Sequence, residues 1–313
     1  MEPSWLSSPA PVLLLTLHLL VFLFHGGSGY ECGETVWPGI LSNAGTPQLE
    51  STGFELPVTS SRSFQAPSGW SGRFWARTGC SSTGGSWSCA TGECGSGQVE
   101  CNGAGAAPPA TLAEFTLAPS SAGQDFYDVS LVDGYNLPMV VEASGRAGAS
   151  GECAATGCVV DLNRMCPVEL RAAQGEACRS ACEAFGTPEY CCSGAFASPA
   201  TCRPSSYSQM FKAACPRSYS YAFDDPTSTF TCAGEADYTI TFCPRSAPSH
   251  YRREAQGLET MTTPFTEMFA DNLPSHGVHK LRLHERFNVH GNVKLLSQWA
   301  KLKLPLIPFP SFW

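Results

Sequence analysis

The chain has 313 residues, 16 of them cysteine, and a formal net charge of −8. So many cysteines suit a disulfide-stapled protein of an oxidising compartment and argue against a reduced, cytosolic one. The acidic balance excludes nucleic acid as the main partner, because phosphate binding needs a basic face, but it admits a neutral polysaccharide or a cationic partner.

In chain order, the first element is the apolar run VLLLTLHLLVFLF at residues 12–24. It matches the h-region of a signal peptide and is too short for a membrane-spanning helix. Gly27 and Gly29 follow, so cleavage is expected before Tyr30, and residues 1–29 are read as a signal peptide even though no Lys or Arg precedes the run.

Residues 30–243 are rich in Gly, Ser and Pro and have only short apolar runs, the pattern of an all-β domain with many turns. Within them, residues 80–101 read CSSTGGSWSCATGECGSGQVEC. Zinc sites favour close pairs such as C-x2-C; here the gaps are eight, four and six residues. None of the seven histidines lies between Tyr30 and Cys243, so the region offers no His ligand, no His base and no Cys–His catalytic pair. The four cysteines are read as two disulfides, and neither a metal nor a cofactor is expected.

TLAEFTL (Thr111–Leu117) alternates, with Ala113 and Phe115 on one face and Glu114 on the other. DFYDVSL (Asp125–Leu131) alternates too, with Tyr127 and Val129 opposite Asp128. If the two strands pair, Glu114 and Asp128 project from the less apolar side of one sheet; two acidic residues on a solvated sheet face are the blander interpretation. Residues 153–215 hold nine cysteines and two helical pieces, RSACEAF and SSYSQMFKAAC, the second capped by Ser205 or Ser206 and stopped by Pro216. Such short helices need the cross-links to persist. Adjacent Cys191 and Cys192 need separate partners.

Residues 244–313 contain no cysteine and are expected to form a disordered tail. Val293, Leu295, Leu296, Trp299 and Leu302 among three lysines give it a weakly basic amphipathic stretch. The closing LKLPLIPFPSFW, broken by prolines, is neither a membrane span nor a lipid-anchor signal.

The segments TVWPGIL, GRFWARTGC, CATGECGSGQVEC, PPATLAEFTL, DFYDVSLVDGYNLPM and YCCSGAF together resemble plant thaumatin-like proteins of the pathogenesis-related class, from Cys32 to Cys243 and with all 16 cysteines in family order. The resemblance implies a mainly β fold: a flattened β-sandwich with a disulfide-rich short-helix region (about 153–215) and a small disulfide-held loop region (about 78–110). It implies the pairs Cys32–Cys243, Cys80–Cys89, Cys94–Cys101, Cys153–Cys232, Cys158–Cys215, Cys166–Cys178, Cys182–Cys191 and Cys192–Cys202. It also implies an acidic cleft built from one Arg, one Glu and three Asp. The matching positions are Glu114, Asp128, Asp133 and Asp224 or its neighbour Asp225; Ala107 stands where the Arg is usual. Without that cation the carboxyl pKa values are expected to rise by mutual repulsion. Glu93 and Trp87 replace other residues of the loop signature. The family has an apolar strand before its first cysteine, whereas only Tyr30 and Glu31 precede Cys32 after the expected cleavage site, so an open sheet edge is expected.

The resemblance implies a secreted, monomeric defence protein of the apoplast or cell wall that binds fungal β-1,3-glucan in the cleft. Trp70, Phe74 and Tyr135 are candidate sugar-stacking rings, with core packing as their commoner role. One alternative is a weak endo-β-1,3-glucanase with Glu114 as general acid and Asp128 as base or charge stabiliser. The other is a protein that permeabilises membranes or binds other proteins without touching sugar.

Overall fold

The computed structural model describes residues 33–144, 153–233, 236–246 and 279–286. Residues 1–29, read above as a signal peptide, and most of the tail, including Val293 to Leu302, lie outside them. The strands in chain order are β1 (Trp37–Ser42), β2 (Ser61–Pro67), β3 (Ser71–Arg77), β4 (Ser81–Thr83), β5 (Ser86–Ser88), β6 (Leu112–Thr116), β7 (Gln124–Ser130), β8 (Met139–Ser144), β9 (Thr156–Cys158), β10 (Arg171–Ala172), β11 (Ala177–Cys178), β12 (Phe230–Ala233), β13 (Asp237–Phe242) and β14 (His279–Arg286). The short helices are α1 (Ala181–Phe185), α2 (Pro188–Cys191), α3 (Ser206–Ala214) and α4 (Asp225–Ser228).

Two five-stranded sheets form a sandwich, one in the order β1-β3-β6-β7-β12 and the other β2-β14-β13-β8-β9. Strand alternation turns one apolar face of each sheet inward. The first sheet sends in Ile40, Phe74, Phe115 and Tyr127; the second sends in Phe64, Val141, Ile240 and Leu281. A run of rings crosses the interior, with centroids 5.6 Å apart for Trp70–Phe74, 5.9 Å for Phe74–Phe115 and 5.2 Å for Phe115–Tyr238. Such pairs add about 0.5–1.5 kcal/mol each beyond area burial. Trp70, Phe74 and Tyr135 are each at most 1 % exposed, so they pack the interior and offer no ring to a sugar.

β14 comes from the segment expected to be a disordered tail. It runs antiparallel to β13 and parallel to β2, so both of its edges are paired. The sequence HKLRLHER explains the placement: His279, Leu281 and Leu283 are buried, while Lys280 and Arg282 between them are exposed. The disorder expectation therefore fails for these residues, because the strand's inward leucines join the main core.

A second cluster lies under the helices, where Leu131, Tyr135, Leu162, Leu170 and Phe211 pack against buried cystines. Ser180 caps α1 by accepting from the Glu183 N–H at 3.2 Å, and Gly186 ends it in the left-handed conformation. Ser205 caps α3 by accepting from the Ser208 N–H at 3.0 Å. Within this region Cys158–Cys215, Cys166–Cys178, Cys182–Cys191 and Cys192–Cys202 are joined, and Cys153–Cys232 ties it to β12. The neighbouring half-cystines 191 and 192 thus have different partners.

The small loop region carries the β4–β5 hairpin and the bonds Cys80–Cys89 and Cys94–Cys101. Its cysteines hold chain to chain. Glu93 accepts from the Cys94 and Gly95 N–H groups at 2.8 and 3.0 Å, so the longer acid still serves this turn. Trp87 packs edge-on against Trp37. Cys243 is also disulfide-bonded; Cys32, which the resemblance assigns to it, lies outside the described residues.

Candidate acidic cleft

Three neighbouring strands bring the first polar groups together. In the antiparallel register Arg73 of β3 lies opposite Glu114 of β6, and Glu114 lies opposite Asp128 of β7. Residues directly opposite in a ladder have side chains within reach of one another on the same face. The row therefore reads cation, carboxyl, carboxyl across the outer face of the first sheet, with all three side chains half-buried. Arg73 Nε stands 3.6 Å from Glu114 Oε1.

Asp133 follows β7 in a tight turn closed by the Gly134 N–H donating to the Leu131 carbonyl at 3.0 Å. Gly134 has φ 86°, and a Cβ there would lie 2.7 Å from Pro109 Cβ and 2.8 Å from the Cys178 carbonyl oxygen. Only glycine suits that position. The Ala110 N–H donates to the Asp133 carbonyl at 3.0 Å, which fixes the turn against the segment leading into β6.

The fourth acid comes from the far side. Tyr219 is stitched to β7 by two backbone bonds, Tyr219 N–H to the Val129 carbonyl and Leu131 N–H to the Tyr219 carbonyl, both 2.9 Å. Its hydroxyl donates to Asp225 Oδ1 at 3.0 Å and contacts Thr229 Oγ1. Asp225, exposed at the start of α4, is close enough to raise the Asp128 pKa. Asp224 is used differently. Its carboxylate accepts from the Ser220 N–H and hydroxyl at 3.0 and 2.9 Å and pairs with Lys212 Nζ at 3.0 Å. Of the two candidate aspartates, Asp225 is the one whose charge reaches the row, and Asp224 braces the chain beneath it.

Electrostatics follow from this packing. Burial pushes the Asp128 carboxyl well above the ordinary range; Glu114 and Asp225 add to the rise and Arg73 opposes it. Burial raises Glu114 as well, with Arg73 opposing and Asp133 adding. Asp133 is raised by burial against the pull of Arg73. On α1, Glu183 is raised by burial and by Asp133, which puts one helix of the disulfide-rich region within electrostatic range of the row. Asp128 Oδ1 and Arg73 Nε are buried and have no hydrogen-bond partner among the described residues. Buried polar atoms are normally paired, so these two are open positions for an outside donor and an outside acceptor.

Ala107 is exposed, and its N–H donates to the Glu93 carbonyl; it contributes no side chain to the row. The cation next to the acids is instead Arg73, which sequence reasoning did not select. The alternation in GRFWAR puts Arg73 on the face opposite Phe74 and Ala76, but only the β3–β6 register links it to Glu114.

Residues 30–244 match the model of the thaumatin family. Among relatives, Thaumatin-like protein 1 of Arabidopsis thaliana is 69% identical over 220 residues, covering 68% of this chain and 84% of its own length. Thaumatin-like protein 1a of Malus domestica is 52% identical over 242 residues, covering 74% and 97%. A protein of Prunus avium named Glucan endo-1,3-beta-glucosidase is 50% identical over 244 residues, covering 74% and 98%. With the disulfide-stapled sandwich and the acidic row described above, these matches identify the chain as a plant member of the thaumatin family, the thaumatin-like defence proteins.

Proposed function

We propose that the row Arg73–Glu114–Asp128, with Asp133 and Asp225 beside it, is a binding cleft for cell-wall β-1,3-glucan, and that the protein acts outside the cell in defence against fungi. The observation that carries this reading is the pair of unsatisfied buried atoms, Asp128 Oδ1 and Arg73 Nε, in a cluster of raised-pKa carboxyls. A sugar hydroxyl both donates and accepts, so a neutral polyol can serve carboxylate, carboxylic acid and guanidinium at once. A charged ligand of either sign meets repulsion from part of the row. Disulfides throughout the chain fit export to an oxidising compartment.

The test is retention of the full-length protein on insoluble β-1,3-glucan. Wild type is expected to be retained, and Glu114→Gln with Asp128→Asn is expected to weaken retention about tenfold or more, the worth of one or two charge-assisted hydrogen bonds. Equal retention of both would exclude the cleft.

Hydrolysis is the second reading, favoured by the name of the Prunus avium relative and by the unequal environments of two facing carboxyls. The geometry changes the expected roles. Arg73 Nε stands 3.6 Å from Glu114 Oε1, which favours Glu114 as the anionic partner and leaves Asp128 as the proton donor. Release of reducing ends from soluble β-1,3-glucan, lost in Asp128→Asn while retention persists, is the expected signature; retention without release leaves binding alone.

A further inference from the structure

β14 sits inside a sheet, yet it is reached only after residues 247–278. It hydrogen-bonds along both edges. Antiparallel pairing sets Leu283 opposite Tyr238, Leu281 opposite Ile240 and His279 opposite Phe242. Parallel pairing sets Leu281 opposite Arg62 and Leu283 opposite Phe64. Among the described residues, β14 is the one strand that joins β2 to the rest of its sheet. Leu281 is 1 % exposed, Leu283 2 % and His279 0 %. His279 Nδ1 lies 3.1 Å from the Pro57 carbonyl, and the Lys280 N–H donates to the Ser60 carbonyl at 3.2 Å. The segment thus meets the body by main-chain ladders on two sides and by three alternate side chains on one face. Those are the two parts of recognition by strand addition: the ladder supplies affinity and the alternate pockets supply selectivity. No cysteine lies in or after the segment, so no disulfide fastens it.

We propose that the slot between β2 and β13 is a strand-acceptor site and that its ligand is this chain's own segment His279–Arg286, held without covalent help and selected by the pockets for Leu281 and Leu283. The body of the protein is then a receptor for a short extended peptide with leucines two residues apart. A second copy of the chain carries the same ligand and can donate it in exchange.

The test uses the full chain with a specific protease site introduced within 247–278 and cut after folding. The fragment carrying 279–313 is expected to co-elute with the body in native gel filtration. Release of the fragment on cutting, whether or not the body stays soluble, overturns the proposal. The same cut in a Leu281→Asp, Leu283→Asp chain is expected to free the fragment; retention equal to wild type would show that the pockets do not select it. As a measurement that needs no variant, backbone amides of residues 280–283 in the intact chain are expected to exchange at least a hundredfold more slowly than in a free peptide of the same sequence. Exchange at the free-peptide rate would overturn the proposal on its own.

Discussion

Asp128 shows how one position takes its character from its neighbours. Its folded pKa is raised, chiefly by burial and next by Glu114. A raised carboxyl costs the fold nothing below the unfolded value of about 3.9, and its ionisation costs stability as pH rises toward and through the folded value. Asp128→Asn is therefore expected to raise the thermal midpoint at pH 7 and to leave it unchanged near pH 3, as followed by circular dichroism at both pH values. A midpoint lowered at pH 7 would mean that the carboxylate contributes a bond to the fold. Arg73 opposes the rise at Glu114, Asp128 and Asp133 together. Arg73→Gln is expected to move the carboxyl titrations of all three upward, as read by carboxyl-carbon NMR, with Asp133 serving as the reporter farthest along the chain. Alternation could place Glu114 and Asp128 on one face, because a period of two fixes which face a residue takes, but it was the resemblance that singled them out as site residues. Arg73 could not be chosen, because its relevance depends on which strand lies next to β6. Nor could Asp224 be separated from Asp225: adjacent residues at a helix start point in different directions, and only the folded chain puts Lys212 under one and Asp128 near the other.

At the scale of elements, the legible pieces were those whose signals are local. The hairpin partners β6 and β7 were visible in their patterns, and so was the Ser205 start of α3; RSACEAF was legible as helical, but its Ser180 cap was not picked out. Ser205→Ala is expected to cost about 1 kcal/mol in urea unfolding, the usual worth of such a cap. β14 was missed, although HKLRLH alternates as cleanly as TLAEF. Its two neighbours are far away in sequence, and nothing local says that a sheet has a vacancy for it. Leu283→Ala, in a site closed by Phe64 and Tyr238, is expected to cost about 3 kcal/mol in the same measurement. A cost near zero would place that leucine outside the packed core. Another non-local clamp is Glu100, whose carboxylate accepts from the Thr52 and Gly53 N–H groups at 2.7 and 2.9 Å and from two hydroxyls. Those bonds hold its pKa down against the effect of burial, and they pin the small loop region to the chain after β1.

For the whole molecule, the fold class came from family resemblance across many segments, and the architecture agrees with it at the level of layers and cross-links. What resemblance could not supply was that β14 completes the second sheet between β2 and β13. The cross-links also rank by the loops they close. Cys158–Cys215 spans a sequence separation of 57 and Cys80–Cys89 one of 9. In the chain-entropy treatment these limit the unfolded ensemble by about 4 and about 3 kcal/mol, so removing the first pair with alanines is expected to lower the guanidinium midpoint more than removing the second. The reverse order would point to folded-state packing around the loop hairpin as the larger contribution.

A strand encoded after both of its neighbours occupies the middle of a sheet, and this bears on how the protein is made. A ribosome delivers β2, β8 and β13 well before it delivers β14. Until β14 clears the exit tunnel, one edge of β13 and β2 wait without the neighbour that joins them among the described residues. Contacts of such long sequence separation form slowly, and unpaired edges invite association. The nascent chain must therefore remain open and in need of protection after β13 has been made, and its second sheet closes only when β14 arrives.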